Sequence, residues 1–380
     1  MLRFLHLHSS FHAGGKELRA ARLINAFGKE VEHTIVSAQP DALSAAAAID
    51  PGIAVSYPQD FPALAGRPTP GRLRELAGAM RGFDLVLTYN WGAMDAVMAH
   101  TVFCQHYGLP PLVHHEDGFN QDEAQGLKRS RNWYRQVALT RSAALVVPSR
   151  SLEAIALGVW RQPRAKVRRI ANGIDTQAYT ARPKPDALPR IVKRPGEKWL
   201  GTLAGLRPVK NLPRLVRAFA GLPEEWQLVI LGEGPEREAI REEALRREVA
   251  HRVHLPGFVA DPAVATGLFD LFALSSDSEQ FPISVVEAMA SGLAVVAPGV
   301  GDVADMLSPE NRPYIAPPGD EAALAGHLAL LAGDERLRRA VGAANREKAC
   351  REYDENAMIA AYRAVYGQAM GRNWPGPEQA

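Results

Sequence analysis

Cysteine is scarce in this sequence: Cys104 and Cys350 are the only two in 380 residues. Such a pair provides neither a disulfide framework nor the closely spaced ligands of a zinc site, and it fits a reducing compartment. The sequence also lacks an uncharged apolar run close to the roughly 18 residues that a membrane-spanning helix needs. Its N-terminus alternates like a strand, without the apolar stretch of a signal peptide. We therefore expect a cytoplasmic protein, which could still contact the inner face of a membrane.

Neither sign of charge dominates the chain, whose formal net charge is +2. The charges are nevertheless unevenly distributed. Residues 1–185 contain 22 Lys and Arg against 15 Asp and Glu, whereas the remainder contains 22 against 27. A basic first half favours an anionic partner there, although a solvated face without a function explains the asymmetry equally well.

Two common nucleotide-binding signatures are missing. The P-loop pattern GxxxxGK[ST] and the dinucleotide pattern GxGxxG do not occur. Instead, the segment FHAGGKE (residues 11–17) follows the first apolar run and precedes a helical pattern. Gly14 and Gly15 would let the backbone approach a phosphate closely, although a plain turn is the alternative.

The pattern of elements predicts the fold class. The chain is 47% hydrophobic and 23% charged, which is typical of a soluble globular protein, and its length suits two domains. Strand-like and helix-like segments alternate twice, separated by the proline-rich and charged residues 182–196. We predict an α/β protein with two Rossmann-like, doubly wound domains at residues 1–185 and 186–350 and a C-terminal helix at 351–380. We expect ligands in a cleft between the domains, at the carboxyl ends of the strands.

The segment SEQFPISVVEAMASG (residues 278–292) contains two carboxylates, Glu279 and Glu287, eight positions apart. Pro282 suits the first turn of a helix and Gly292 suits the position just after its end. The free N–H groups at such a helix start attract an anion. Two carboxylates would repel a bare phosphate. They therefore predict a ligand whose phosphate group has hydroxyl-bearing groups on both sides, such as a nucleotide-sugar. The alternative is that Glu279 caps the helix and Glu287 is solvated.

A phosphate at this position would need cations, which the segment GTLAGLRPVKN (residues 201–211) supplies. Arg207 and Lys210 lie in the predicted turn between a strand and a helix. Arginine offers a planar fork and lysine a point charge, which together suit a diphosphate. Ordinary surface bases beside a helix start are the alternative.

Together these segments resemble the retaining glycosyltransferases of family 4, which are also described as glycosyl transferases group 1 and have the GT-B fold. The resemblance extends over nearly the whole chain. Glu279 and Glu287 look like the family's E-x7-E pair, and Arg207 and Lys210 look like its diphosphate-binding residues. Further family motifs are matched by Gly14-Gly15, the NGID turn at 172–175, the GEGP turn at 232–235 and the GFV segment at 257–259.

The resemblance implies a role for each residue. Glu279 would hold hydroxyls of the donor sugar, Glu287 would hold the ribose, and Arg207 and Lys210 would stabilise the leaving diphosphate. No metal or other cofactor would be required, because the two cations replace it. The C-terminal helices would cross back to the first domain. The other residues implied in donor binding are Gly14, Gly15, Gly232, Phe258, Val259, Phe281, Pro282, Ile283 and Ser284.

One departure from the family concerns the residue near the transferred sugar. Many relatives have a histidine after a strand of the first domain. Here the segment is VHHEDGF (residues 113–119), and Asp117 falls where that histidine would be. His115 lies two residues earlier on the same predicted strand face. Asp117 and His115 are therefore both candidate catalytic residues. A carboxylate nucleophile at Asp117 would be unusual for the family. For His115, the alternative is that it packs below the cleft.

The first domain of such enzymes holds the acceptor, and here it contains a basic and aromatic stretch. A helix of this composition can lie on an anionic membrane or bind an acidic saccharide, whereas aromatics packed in the core are the alternative. Because the signal is confined to one short stretch, we expect no nucleic acid. The candidate acceptor or membrane residues are Lys128, Arg129, Arg131, Trp133, Tyr134 and Arg135.

The expected function is therefore retaining transfer of a hexose from a nucleotide-sugar to a saccharide or lipid-linked acceptor. Envelope polysaccharide or glycolipid biosynthesis would use such a reaction. A nucleotide-sugar epimerase of the same fold and a non-catalytic nucleotide-sugar binder are the alternatives. The E-x7-E pair together with Arg207 and Lys210 favours transfer.

Overall fold

The structure, a computed structural model, describes residues 1–119, 123, 126–259 and 261–374. The chain forms two compact units. Unit 1 consists of Met1–Ala171 together with the chain from Ala357 onward, and unit 2 consists of Asn172–Asn356. Each unit is an α/β layer structure of its own.

Unit 1 is built on a parallel sheet that has seven strands among the described residues, in the order β3-β2-β1-β4-β5-β6-β7. Its central strands are buried along most of their length, as expected where helices cover both faces of a sheet, and contain mainly Leu and Val together with buried histidines. The strands are β1 (Leu2–His8), β2 (Val31–Ser37), β3 (Val55–Ser56), β4 (Leu85–Tyr89), β5 (Leu112–His115), β6 (Ala144–Val147) and β7 (Val167–Arg169).

The helices of unit 1 cover two separate apolar clusters, one on each face of this sheet. Leu5 and Leu7 contribute to one cluster, while Phe4, the residue before Leu5, contributes to the other, because successive strand residues point to opposite faces. The helices are α1 (Gly15–Phe27), α2 (Pro70–Ala79), α3 (Met94–Tyr107), α4 (Arg129–Ala138) and α5 (Arg150–Gly158).

Unit 2 repeats the design with a parallel sheet in the order β10-β9-β8-β11-β12-β13. Its strands are β8 (Lys198–Leu203), β9 (Trp226–Leu231), β10 (Val253–Gly257), β11 (Leu271–Ala273), β12 (Val295–Pro298) and β13 (Ile315–Ala316). Its helices are α6 (Leu212–Phe219), α7 (Arg237–Arg246), α8 (Pro262–Thr266), α9 (Ile283–Ala290), α10 (Val303–Met306), α11 (Glu321–Gly333) and α12 (Glu335–Glu352).

The last helix, α13 (Glu355–Ala369), returns to unit 1. The Tyr366 hydroxyl lies 2.9 Å from Nε2 of His115, and Arg363 donates to Glu30 at 2.9 Å. Trp374, just beyond the helix, packs against Phe27 with ring centroids 4.8 Å apart. The C-terminal segment is thus part of the core of unit 1, as predicted.

The proline-rich segment between the two sheets has neither helix nor strand at residues 181–197. It lies against unit 2, where the Lys193 ammonium donates to the backbone carbonyl of Leu268 at 2.6 Å and to Asp270 at 2.7 Å. Lys193 therefore fastens this segment to the rest of the second unit.

Candidate active site

The start of α9 has the local geometry that its sequence predicts. The polar loop 275–280 follows β11, Pro282 is the N-cap residue, and α9 begins at Ile283. Gly292 follows the helix with φ +72°, a conformation that glycine adopts without strain. Among the described residues, no acceptor is seen for the N–H groups of Ile283 and Ser284, whereas that of Val285 bonds to the Pro282 carbonyl. The helix therefore presents two donors and a partial positive charge to its surroundings.

Glu279 lies beside this helix start and already has two partners. Its Oε1 accepts hydrogen bonds from the Lys210 ammonium at 2.6 Å and from the Ser276 hydroxyl at 2.7 Å. The side chain of Glu279 is 9% exposed and that of Lys210 is 24% exposed. The structure therefore brings together two residues that are 69 positions apart and were predicted to share one site.

Arg207 has a different environment from Lys210. Its side chain is exposed, and none of the described acidic residues pairs with it. The loop that carries it is fastened to the α9 loop, because the Ser275 hydroxyl donates to the Lys210 carbonyl at 2.9 Å and the N–H of Asp277 donates to Val209 at 2.8 Å. The local site thus retains an uncompensated positive charge for an anionic group.

Glu287, the second carboxylate, lies on α9 and is only 8% exposed. It is therefore not the solvated side chain that the alternative interpretation required. Phe281, predicted as a donor contact, packs edge-on against Tyr353 with centroids 5.6 Å apart. Phe258 is 70% exposed and Val259 half-buried, so both keep surface that a ligand can reach.

Glycines allow the loops of unit 2 to approach one another closely. A Cβ on Gly232 would overlap the carbonyl oxygen of Ala204, and one on Gly234 would overlap that of Leu206. Gly301 was not predicted from the sequence, yet a Cβ there would overlap the carbonyl oxygen of Glu279. The only sequence signal was the turn-like PGVGD segment at 298–302.

Replacing Gly301 with alanine should lower the melting temperature of the chain more than the same change at Gly108. Both glycines have similar positive φ angles, +57° and +58°, so the backbone strain of about 1–2 kcal/mol is shared. Only Gly301 faces a backbone atom, whereas nothing lies within 4 Å of a Cβ on Gly108. The extra overlap should cost about 1–3 kcal/mol of unfolding free energy, measured by denaturant titration. Equal losses at the two positions would contradict the close approach to Glu279.

In unit 1 the glycine loop begins a helix, as predicted. Gly14 is the N-cap residue of α1 and Gly15 its first residue. Lys16 forms an ion pair with Glu17, and burial lowers the pKa of Lys16 to about 8. The positive charge at this helix start is thus partly neutralised within the protein.

Asp117 lies just beyond the carboxyl end of β5 and forms an ion pair with Arg19 from α1. The two N–O distances are 2.5 and 2.9 Å. The N–H of Asp117 donates to the side-chain oxygen of Asn90 at 2.8 Å. Neither Arg19 nor Asn90 was predicted from the sequence, although an asparagine directly after a buried strand is typical of a turn.

His115 is a core residue, and the prediction that it could be catalytic is wrong. It is 1% exposed, with Nδ1 3.1 Å from the Thr88 carbonyl and Nε2 2.9 Å from the Tyr366 hydroxyl. Burial lowers its pKa to about 3, which keeps the imidazole neutral. Both ring nitrogens of His115 have hydrogen-bond partners inside unit 1, which agrees with the alternative interpretation that this histidine is a packed core residue.

Some of the charged side chains of the basic and aromatic helix α4 point into the protein interior. Arg135 is fully buried, donates to Glu116 at 3.0 Å and lies over the ring of Trp160, so its predicted role in an anionic acceptor or membrane surface is wrong. Arg131 pairs with Glu123 at 2.9 Å, and the Tyr134 hydroxyl donates to Asp95 at 2.7 Å. The outward residues of the predicted set are Lys128, Arg129 and Trp133, all three exposed.

The described part of the chain contains no group of three or more His, Cys, Asp or Glu residues placed to hold a metal ion. Every helix described there is too short or too polar to cross a bilayer.

Two family models match successive halves of the chain. One, described as Glycosyltransferase Family 4, matches residues 13–178, and the other, described as Glycosyl transferases group 1, matches residues 184–348. This chain is a member of glycosyltransferase family 4. The resemblance seen in its sequence motifs is thereby confirmed.

Curated relatives of this glycosyltransferase are similar at a moderate level. A D-inositol 3-phosphate glycosyltransferase of Xylanimonas cellulosilytica is 28% identical, with 95% of this chain and 93% of the relative covered. A GDP-mannose-dependent alpha-mannosyltransferase of Mycolicibacterium smegmatis is 27% identical over 81% of each chain. An N-acetyl-alpha-D-glucosaminyl L-malate synthase of Bacillus anthracis is 26% identical, and the match spans about half of it, 54% of each chain.

Solved structures confirm the predicted GT-B fold. Anabaena HepE in complex with UDP and glucose superposes with a TM-score of 0.79 at 19% identity, covering 97% of this chain and 100% of that one. Sucrose-phosphate synthase of Thermosynechococcus elongatus gives 0.76 at 20% identity, covering 97% and 99%. At 19–20% sequence identity, these structural similarities establish the fold alone.

Proposed function

We propose that this glycosyltransferase moves a hexose from a nucleotide-sugar to a saccharide or lipid-linked acceptor, with retention of configuration at the anomeric carbon. The observation that carries the proposal is the cluster at the start of α9. There Lys210 and Glu279 are joined at 2.6 Å beside two N–H donors, and Arg207 is exposed without an acidic partner among the described residues.

Each member of this cluster has a defined task in the proposed reaction. The donor diphosphate accepts hydrogen bonds from Arg207 and from the N–H groups of Ile283 and Ser284, which stabilises the charge that develops as the glycosidic bond breaks. Lys210 shares its charge between the diphosphate and Glu279. Glu279 accepts hydrogen bonds from sugar hydroxyls, and Glu287 on α9 accepts them from the ribose. Because the cations belong to the protein, the proposed reaction needs no metal.

The test is a thermal-shift panel of UDP-, GDP- and ADP-sugars with the wild-type chain, Glu287→Ala and Arg207→Ala. A donor present at 100 times its Kd should stabilise the wild type by about 2.7 kcal/mol and both variants far less. Transfer is then assayed with that donor, with and without EDTA, and the product anomer is determined by NMR. An inverted product, or activity abolished by EDTA and restored by a divalent metal, would contradict the corresponding part of the proposal.

The same assays separate the alternatives. An epimerase would convert the donor sugar without any acceptor, whereas a non-catalytic binder would be stabilised by a nucleotide-sugar and release no nucleotide when acceptors are added. No stabilisation by any member of the panel, together with no transfer, would contradict the donor site itself.

A hollow in unit 1 supports an acceptor with an apolar portion, as a lipid-linked glycan has. It is open, has a cavity volume of about 170 Å³ and lies beside the carboxyl ends of β2 and β3, where open α/β sheets bind ligands. One wall is joined to the loop before Gly14, because the N–H of Ala38 donates to His8 and that of Phe11 to Ala42, each at 2.9 Å. Envelope glycolipid or polysaccharide assembly would use such an acceptor. The apolar lining includes Leu43, Tyr57, Phe61 and three prolines, at positions 40, 58 and 62.

Replacing Phe61 with alanine should raise the KM for an alkyl glycoside acceptor by about tenfold, since it removes apolar contact area worth about 1–3 kcal/mol. The KM for the nucleotide-sugar and for a free sugar acceptor should stay unchanged. Phe103→Ala is the matched control, because Phe103 packs against the same apolar cluster but does not line the hollow. An equal rise for both variants would show a loss of packing instead of a loss of acceptor contact.

A further inference from the structure

Arg19 is a buried cation that forms a bidentate pair with one carboxylate. Its side chain is 4% exposed, and its guanidinium donates two roughly parallel hydrogen bonds, Nη1 to Oδ1 of Asp117 at 2.5 Å and Nη2 to Oδ2 at 2.9 Å. The ring of Tyr362 from α13 lies 5.6 Å from the guanidinium carbon. Such a bidentate pair fixes orientation as well as charge.

Asp117 is held in place from a second direction. Its N–H donates to the side-chain oxygen of Asn90, which follows β4 with φ +54°, and the N–H of Asn90 in turn donates to the His115 carbonyl. The Asp117 side chain is 12% exposed, at the carboxyl edge of the sheet of unit 1. A small, rigidly oriented part of this carboxylate thus reaches the edge at which parallel sheets bind their ligands.

The surroundings also decide the charge of Asp117. Burial raises its pKa, but the Arg19 guanidinium outweighs burial and holds the pKa below its ordinary value. A carboxylate whose two oxygens both accept from a guanidinium is a poor nucleophile and a poor base, yet each oxygen can still accept a hydrogen bond from a hydroxyl. The titratable or charged groups that face it are Lys16 and Arg19 from α1, Tyr89 from β4, His115 from β5 and Tyr362 from α13.

We propose that Arg19 is a positioning residue for sugar transfer, which fixes the Asp117 carboxylate so that it accepts hydrogen bonds from hydroxyl groups of the sugar substrate. The inference rests on the proposed function. It assigns Asp117 to substrate contact instead of nucleophilic attack, and it makes α1 and α13 part of the support of the site.

A double-mutant cycle on the full chain tests whether Arg19 acts through Asp117. Arg19→Met and Asp117→Asn are each expected to lower kcat/KM for transfer by about 30- to 100-fold, as the loss of a charge-assisted contact does. In the Asp117→Asn background, Arg19→Met should lower kcat/KM by no more than about threefold further. Losses that simply multiply would overturn the proposal.

The pH profile provides a readout that a merely structural role would not change. In Arg19→Met the pKa of Asp117 is no longer held down, so kcat/KM should acquire an acidic limb between about pH 5 and 7. The wild type and Asp117→Asn should not show this limb. Arg19→Lys keeps the charge without the planar fork and should lose about tenfold in kcat/KM without the limb.

Arg363→Met is the matched control. Arg363 is also a buried arginine of unit 1, 2% exposed, paired with Glu30 and stacked over Phe27, but it does not contact Asp117. It should leave the pH profile unchanged, and a limb in Arg363→Met would overturn the role of Arg19. If Arg19→Met unfolds, as circular dichroism would show, the cycle is run with Arg19→Lys.

Transfer by the wild-type chain is established first. No transfer by the wild type would contradict the proposed function, whereas transfer without coupling between Arg19 and Asp117 contradicts only this inference.

Discussion

Replacing Arg207 with alanine should lower kcat for sugar transfer by about 100- to 1,000-fold while the chain stays folded. The removal of one preorganised donor to developing charge has an effect of this size. Arg207 is exposed and pairs with none of the described acidic residues, so its loss leaves no buried carboxylate without a partner. Steady-state kinetics with the donor identified by thermal shift, together with the melting temperature of the free chain, check both parts of this prediction.

Arg241→Ala is the control for this experiment. Arg241 is a half-exposed arginine of the same unit, on α7, paired at 2.8 Å with Glu238 one turn away, and its removal should change neither kcat nor melting temperature. An Arg207→Ala chain with nearly normal kcat would contradict the electrostatic role of this residue. A strongly lowered melting temperature would instead assign Arg207 to the structure of the loop.

Lowering the pH from 8 to 5 should destabilise unit 1. Unit 1 contains five buried histidines whose pKa values are lowered because burial disfavours the charged imidazole: His6, His8, His33, His100 and His115. The pKa of His33 falls to about 4 and that of His115 to about 3. In the unfolded chain these groups titrate near 6.5. At a pH between the lowered pKa of a histidine in the folded chain and its pKa in the unfolded chain, the unfolded chain binds more protons than the folded chain. The stability that is present above about pH 6.5 is therefore lost as the pH falls. Each histidine should contribute about 1.4 kcal/mol per pH unit in that window.

The measurement is thermal unfolding at constant ionic strength from pH 8 to pH 5, with His8→Phe beside the wild type. Neither ring nitrogen of His8 has a hydrogen-bond partner among the described residues, and its ring stacks on Tyr89 at 3.9 Å. Phenylalanine therefore removes a buried titrating group without removing a hydrogen bond, and it should flatten the pH dependence. His251→Phe is the control: its side chain is 64% exposed, so this substitution should not flatten the pH dependence of unfolding. Identical slopes for His8→Phe and the wild type would contradict this account.

Most elements of the two sheets were predictable from local sequence. The N-terminal run that alternates like a strand forms β1 (Leu2–His8), and the helix predicted between Pro282 and Gly292 is α9 (Ile283–Ala290). Strands β3, β7 and β13 are only two or three residues long. A run that short has no periodicity to detect and becomes a strand only by pairing with a neighbour.

The candidate site was predictable where the family motif named its members. Arg207, Lys210, Glu279 and Glu287 belong to such motifs, but the direct contact between Lys210 and Glu279 was not predicted, nor was the need for glycine at position 301. In unit 1 the pattern of charges in the Lys128–Arg135 segment suggested a basic surface. The structure uses Arg135 as a buried counter-ion for Glu116, because residues 19 positions apart meet between two elements.

The sequence by itself determined the α/β class, the helix start before Ile283, the glycine turns and the family, because these depend on residues close together in the chain and on motifs. Only the tertiary structure decided which carboxylates acquire cationic partners. Arg19 and Asp117 are 98 positions apart, and their pairing depends on β1 and β4 placing α1 beside the end of β5. Burial then lowers the pKa values of the histidines and the Arg19 guanidinium lowers that of Asp117, whereas the same groups would titrate normally in an unfolded chain.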